Sequence, residues 1–299
     1  MKTSEEIART ERTVVCEICG SSHHKLRYQF DDIRVVRCND CGLVFIIEFS
    51  ADIDQVDLYN TDYFSEREEY FLHESDKNLQ EVSGEHLESF REGLKTIGKH
   101  KKSGRLLDLG CAVGVFLSMA KEEGWEVCGV DISEYAAARA RERCQVEVYA
   151  GELADINFAE ASFDVITMWD VLEHLEHPQK GLTEAHRILK DDGILLLDTP
   201  NEGSLTRRVA HLIYRFFGGR IVYPAKSLYH IYHRYYFSEN TLGRILDATG
   251  FAVIEMIRKP IPREKGRGNT LERAVVSAFA AVEKWLNMDF ELLVVARKR

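Results

Sequence analysis

Long apolar runs are missing from this chain of 299 residues. No stretch approaches the ~18–20 consecutive apolar residues that a membrane-spanning helix needs. The N-terminal Met-Lys-Thr-Ser-Glu-Glu lacks the apolar centre of a secretory signal, so a cytoplasmic location is expected. Proline is scarce, at 5 residues, and with 45% apolar residues this describes a globular chain, not an extended one. Positive charge is in deficit. Lys and Arg number 39 against 49 Asp and Glu, for a net charge of −10, which counts against a broad nucleic-acid-binding face while leaving room for a local basic patch. The length suits one large domain plus a small one.

Seven cysteines in an unexported chain are read as metal ligands or buried thiols, not as disulfides. Four of them are ordered. Cys16-Glu-Ile-Cys-Gly20 and Cys38-Asn-Asp-Cys-Gly42 are two C-x-x-C-G turns, with eighteen residues between Cys19 and Cys38. Each pair sets two sulfurs on one tight turn, and the glycine permits a left-handed backbone that turns amides toward thiolates. Between them, Lys25 to Phe30 and Ile33 to Arg37 alternate like a hairpin. This spacing predicts a zinc ribbon in which Cys16, Cys19, Cys38 and Cys41 close a tetrahedral, structural zinc site. A segment this small has little core of its own, so the metal would supply much of its stability.

The clearest statement of purpose lies further on. Arg105-Leu-Leu-Asp-Leu is an apolar strand that carries Asp108 and turns through Gly110, Cys111, Ala112 and Gly114 into a helical pattern. Trp125 to Asp131 reads as a second short strand closed by an acid. Strand, glycine turn, helix and acid-ended strand make a nucleotide-binding half of an α/β sheet, and the order Gly110-x-Ala112-x-Gly114 departs from the dinucleotide G-x-G-x-x-G. Here Asp131 can accept both hydroxyls of a ribose. Further strands are expected over Val146–Tyr149, from Phe163 to Trp169, over Asp191–Pro200, over Phe251–Ile257 and over Phe290–Ala296, alternating with helices such as Leu182–Lys190, Glu239–Thr249 and Leu271–Leu286. Alternation of this kind calls for a parallel sheet with helices on both faces.

With Phe163-Asp-Val, Val171-Leu-Glu-His174, His177-Pro and the run Arg187-Ile-Leu-Lys to Pro200-Asn201, residues 85 to 299 resemble the class I S-adenosylmethionine-dependent methyltransferases, in particular a bacterial small-molecule branch. The resemblance implies a Rossmann-like sheet of seven strands whose last strand runs antiparallel, preceded here by the ribbon. It divides the chain into a ribbon segment at 1–48, a helical linker and cofactor cap at 49–100, and a methyltransferase domain at 101–299 with a lid-like insertion at about 202–236. Within 49–100, Tyr59 to Phe64 is an aromatic island that would either fold over the cofactor or anchor the linker. S-adenosylmethionine would then be held by Asp108, Gly110, Cys111, Ala112, Gly114 and Asp131. Ile132 would pack on adenine, Glu152 or Leu153 would read its amino edge, and Trp169 and Asp170 would border the sulfonium.

Methyl transfer requires alignment of two atoms and exclusion of water, helped by a general base when the acceptor is a hydroxyl or an acidic carbon. His233, in the segment His-Arg-Tyr-Tyr-Phe-Ser238 that matches the relatives' H-x-x-Y-F-S, and His174 are the candidates, with His230 as a third context. In the insertion, Leu205, Val209, Leu212, Ile213 and Phe216 share one helical face, with Arg207, Arg208, His211 and Arg215 opposite. Such a helix over 204–217 suits a lid, ordinary packing, or peripheral contact with an anionic membrane. The expected acceptor is a sugar or another glycan- or lipid-pathway intermediate, methylated at oxygen or carbon. RNA methylation, gripped by Lys25, Arg27, Arg34 and Arg37 of the ribbon, and a non-catalytic scaffold are the rival expectations.

Overall fold

A computed structural model describes residues 14–30, 33–48, 84–229, 232–260 and 270–299. The aromatic island Tyr59–Phe64, His230 and most of the basic loop 258–267 lie outside the described residues. Among the described residues no helix is long and apolar enough to cross a membrane.

The chain builds two sheets. The larger has seven strands: β4 (Arg105–Leu109), β5 (Glu126–Asp131), β6 (Val148–Ala150), β7 (Phe163–Trp169), β8 (Leu189–Pro200), β10 (Phe251–Lys259) and β11 (Glu291–Lys298). Their spatial order is β10-β11-β8-β7-β4-β5-β6. Strands β4 to β8 run parallel, and β11 is antiparallel to both β8 and β10. Central strands covered on both faces must be apolar almost throughout, and Leu106, Leu107, Val165, Ile166, Leu195 and Leu196 are fully buried. One face is covered by α1 (Gly84–His100), α2 (Val115–Glu122) and α3 (Glu134–Cys144), with Ile97, Phe116 and Ala140 in that core. The other takes α4 (Pro178–Ile188) and, beyond the insertion, α7 (Glu239–Ala248). Strand β8 begins at Leu189, two residues earlier than the expected Asp191, because Leu189 pairs with Phe163. Since β4 pairs with β5 on one side and β7 on the other, the order reverses there, and in open α/β sheets the ligand crevice lies at the carboxyl ends of such strands.

The smaller sheet is β1 (His24–Phe30), β2 (Ile33–Cys38), β3 (Val44–Glu48) and β9 (Tyr235–Tyr236), in that order. The first three form the ribbon. The fourth comes from the insertion after β8, with Val44 opposite Tyr236 and Phe45 opposite Tyr235. Ribbon and large sheet also share one core, in which Cys38, Leu43 and Phe45 join Leu172, Leu242 and Phe237.

In the insertion, α5 (Leu205–Phe216) departs from the expected amphipathic face. It buries Arg207 and Ala210 and leaves Leu212 64% and Phe216 84% exposed. The reason is a set of partners that periodicity cannot register. The Arg207 guanidinium lies over the rings of Tyr229 at 4.8 Å and Tyr236 at 4.9 Å and donates to the Leu228 carbonyl at 2.9 Å. Cation–π contacts and one carboxylate make a guanidinium acceptable in the interior, on the side opposite the expected apolar face.

Candidate active site

Backbone ties shape the turn after β4. Gly110 and Cys111 N–H both donate to the Val130 carbonyl, at 2.7 and 3.1 Å, and pull the turn onto β5. Gly110 stands at φ 71°, and a Cβ there would overlap Val171. Ala112, at φ 45°, is turned so that its N–H donates to Asp131 Oδ2 at 2.8 Å. Ser133 N–H donates to Oδ1 at 2.9 Å, and the Ser133 side chain also caps α3. The Asp131 carboxylate is thus aimed by two amides at the end of β5. Burial raises its pKa to about 6, against the lowering effect of those amides. Gly114 opens α2 at φ 83°, close enough to α3 that a Cβ would meet Cys144 Sγ at 2.8 Å.

Asp108, fully buried on β4, accepts from Thr167 Oγ1 at 2.7 Å. Burial lifts its carboxyl to about 8, the Thr167 hydroxyl acts the other way, and the Asp131 charge adds to the rise. Cys111 is a buried thiol, and burial pushes its pKa well above the ordinary range. Gly151 N–H donates to the Asp131 carbonyl at 2.9 Å, which brings the turn Glu152–Leu153 beside Ile132; Leu153 is buried and Glu152 exposed. Trp169 ends β7 against Phe90 at 4.9 Å and Phe116 at 5.1 Å. Its indole nitrogen is buried with no hydrogen-bond partner among the described residues. Asp170 follows, exposed and in the left-handed region at φ 51°, with its N–H on the Asp198 carbonyl at 3.1 Å. A non-glycine residue held so at the end of a central strand marks a place where conformation is imposed by the surroundings. The candidate ligand residues therefore lie at or just past the carboxyl ends of the neighbouring strands β4, β5, β6 and β7.

A second group lies further along the same edge. A Glu173 carboxylate oxygen and one ring nitrogen each of His174 and His233 lie within 4.8 Å of one another, a spacing that a divalent ion could bridge. His174 Nδ1 is 2.5 Å from the Tyr232 carbonyl, an acceptor only, so Nδ1–H donates and Nε2 carries the lone pair. The two imidazoles meet edge to face at 4.5 Å. Glu173 accepts from Thr199 Oγ1 at 3.0 Å through Oε2, while its buried Oε1 has no hydrogen-bond partner among the described residues. Burial, then the charges of Asp170 and Asp198, drive its pKa well above the carboxylate range. Its backbone carbonyl takes the N–H groups of Arg234 and Tyr235, at 2.9 and 3.1 Å, and so draws the insertion to β7. Sequence reasoning singled out both histidines but passed over Glu173, whose only signal was adjacency to His174.

Beyond the crevice, Cys16 Sγ lies 3.4 Å from Cys41 Sγ, Cys19 Sγ lies 3.6 Å from Cys38 Sγ, and all four sulfurs lie within 4.8 Å of one another. A tetrahedron with Zn–S of about 2.3 Å has edges of about 3.8 Å, so the four thiols fit such an ion. Gly20 and Gly42, at φ 68° and 88°, close the two turns onto the Cys16 and Cys38 carbonyls.

Comparison with known proteins adds an independent finding. The methyltransferase domain family matches residues 76–256. A protein of Mycolicibacterium smegmatis named a probable S-adenosylmethionine-dependent methyltransferase is 33% identical over 104 residues, 34% of this chain and 40% of that protein. The chain thus spans well under two thirds of that relative's length. Among solved structures, a SAM-dependent methyltransferase from Archaeoglobus fulgidus superposes with a TM-score of 0.53 at 20% identity, covering 79% of this chain and 99% of that one. Magnesium protoporphyrin IX methyltransferase from Synechocystis PCC 6803, solved with bound SAH, gives a TM-score of 0.55 at 16% identity, covering 82% and 98%. At these identities the structural likeness is one of fold.

Proposed function

The chain belongs to the methyltransferase domain family, within the class I S-adenosylmethionine-dependent methyltransferases, and from that premise we propose that it transfers the methyl group of S-adenosylmethionine to oxygen or carbon of a small-molecule acceptor. The observation that carries this reading is the Asp131 carboxylate, aimed by the Ala112 and Ser133 amides at the end of β5 beside a glycine turn. Its remaining lone pairs suit the two hydroxyls of a ribose. Asp108 lies on the neighbouring strand β4, where ionisation would answer a cationic amino group. Ile132 and the Glu152–Leu153 turn would hold adenine, and Trp169 and Asp170 would border the sulfonium. When bound, the cofactor supplies a methyl group made electrophilic by positive sulfur.

The chain's own task is then to align the acceptor and to take its proton. His233 is assigned as the general base, with His174 next to it as an oriented imidazole whose Nδ1–H is fixed by Tyr232. Buried Glu173, whose carboxyl burial pushes well above the usual range, lies within reach of both rings and would help to position them. Zinc at Cys16, Cys19, Cys38 and Cys41 would be structural, since four thiolates leave no open position. The acceptor is read as a sugar or a glycan- or lipid-pathway intermediate.

Calorimetric titration with S-adenosylhomocysteine tests the cofactor half of this reading. Wild type should bind one-to-one with micromolar affinity, Asp131→Ala should lose binding, and His233→Ala should keep it. Well-folded wild-type protein that binds nothing would overturn the reading.

A further inference from the structure

Two basic segments far apart in the chain close on one cavity of about 790 Å3. The β1–β2 hairpin contributes Lys25, Arg27 and Arg37, and α5 contributes Arg208, His211 and Arg215. Among the described residues Glu202 is the only acid in the lining, against five Lys and Arg side chains, in a chain whose net charge is −10. That acid is already engaged. Glu202 holds Arg27 at 2.6 Å, accepts from the Tyr229 hydroxyl at 2.7 Å, and lies 3.8 Å from Arg207 outside the cavity. Lys25, Arg37, Arg208 and Arg215 have no carboxylate partner among the described residues.

Convergence of these cations is also felt by His211. Burial first, then the charges of Arg27, Arg215, Lys25 and Arg37, lower its pKa to about 4, so it is neutral at pH 7 beside the Tyr28 hydroxyl at 3.0 Å. Four fixed charges that converge with no carboxylate partner among the described residues repel one another, and an anion between them would relieve this. Guanidinium forks match the paired oxygens of phosphate, and a phosphate or diphosphate carries enough charge to answer several of these cations at once. The volume is that of a small-molecule site, larger than one phosphate fills.

Position links the cavity to the crevice. Glu202 and Gly203 follow directly from the end of β8, beside the strand that carries Trp169, with Trp169 opposite Asp198. Behind Glu202 of the cavity wall, which accepts from the Tyr229 hydroxyl, the rings of Tyr229, Tyr236 and His233 follow one another at 4.6 and 5.8 Å. We propose that this cavity binds the phosphate or diphosphate group of the methyl acceptor, which makes the acceptor a phosphorylated or diphosphate-linked small molecule. The acceptor part of this inference rests on the methyl-transfer reading; the anion site does not. Two carriers share the chemistry, a soluble nucleoside diphosphate and a lipid phosphate headgroup. The exposed Leu212 and Phe216 on α5 are the reason to test the second.

The test uses the full chain, at low ionic strength, with inorganic pyrophosphate as probe and S-adenosylhomocysteine titrated separately. Wild type should bind pyrophosphate. The variant Lys25→Ala/Arg208→Ala/Arg215→Ala removes only exposed side chains, so it should fold; it should bind pyrophosphate at least about tenfold more weakly, with S-adenosylhomocysteine affinity unchanged. UDP binding lost in the variant supports the site and identifies a soluble carrier. Sedimentation with phosphatidic acid vesicles, lost in the variant, supports it and identifies a lipid one. Pyrophosphate binding absent in wild type, or equal in the variant, overturns the inference even where S-adenosylhomocysteine binds. Pyrophosphate binding without S-adenosylhomocysteine binding keeps the anion site and sinks the methyl-transfer reading instead.

Discussion

Asp108 shows how one buried side chain ties stability to ligand binding. In the ligand-free chain burial holds its carboxyl at about 8, against 3.8 for an ordinary aspartate. Between those values the native state keeps a proton that the unfolded chain has released, so stability falls as pH rises from about 4 to about 8. Asp131, raised to about 6, acts in the same sense over a narrower window. The combined slope amounts to several kcal/mol, at about 1.4 kcal/mol per pKa unit. Asp108→Asn keeps an acceptor for Thr167 and removes the titration. Urea unfolding should find the variant more stable than wild type at pH 8 and no more stable at pH 4. Equal pH slopes for the two proteins would contradict this account. Arg207 poses the opposite case, a charge that must stay. Truncation to methionine strips the buried Glu202 of one cation and leaves the Tyr229 and Tyr236 faces against a thioether, so Arg207→Met should cost about 3–5 kcal/mol in the same measurement. Lysine should not rescue it, because an ammonium cannot lie flat between two rings while reaching the Leu228 carbonyl.

Among the elements, legibility followed the physics of burial. Strands β4, β5, β7 and β8 could be read because parallel strands covered on both faces must be apolar runs, here ended by Asp131 and the glycine turn. The ribbon could be read because two C-x-x-C-G turns leave few alternatives. Strand β9 could not: two tyrosines carry no period, and their partners Val44 and Phe45 lie some 190 positions away. Nor could the buried face of α5, since helical periodicity assumes that apolar residues face inward and Arg207 reverses this through partners supplied by three other segments. Helix α1 holds a comparable exception. Gly93 sits mid-helix, where alanine is ordinarily better by roughly 1 kcal/mol. A Cβ at Gly93 would overlap the Trp169 ring, which Phe90 and Phe116 hold in place. Overpacking of this kind costs about 1–3 kcal/mol, so Gly93→Ala should destabilise by about 1 kcal/mol instead of stabilising. Thermal unfolding reads the sign. Lys259 of β10 makes the matching polar link, pairing with buried Asp198 and donating to Ser89 of α1 at 2.6 Å, and so fastens α1 to the sheet edge beside the crevice.

At the scale of the molecule, the question is whether the ribbon is an appendage or part of the fold. The cysteine turns bring Cys16, Cys38 and Cys41 into the same core as Leu107, Leu172 and Phe237, and β9 extends the ribbon sheet with a strand from the insertion. A third cluster joins Tyr28 and Val35 of the ribbon to Tyr229 and Ala225 of the insertion. The basic cavity has one wall on each side of this junction. Its halves were visible in the sequence as a few ribbon cations and as the polar face of a helix, but nothing in a linear pattern brings residues 25 and 215 together. These joins would make a metal bound by the ribbon a determinant of the whole chain. Zinc removal by a chelator under reducing conditions leaves four thiols, three of them buried, without the ion that holds them together, and the ribbon strands lose their fixed ends. Because the cores are continuous, unfolding should remain a single transition, shifted down by more than about 5 °C, with weaker pyrophosphate binding at temperatures where the chain is still folded. Cys16→Ser with Cys38→Ser should reproduce the shift without chelator. Two separate transitions, the upper at the untreated temperature, would mean that the ribbon folds as a unit of its own.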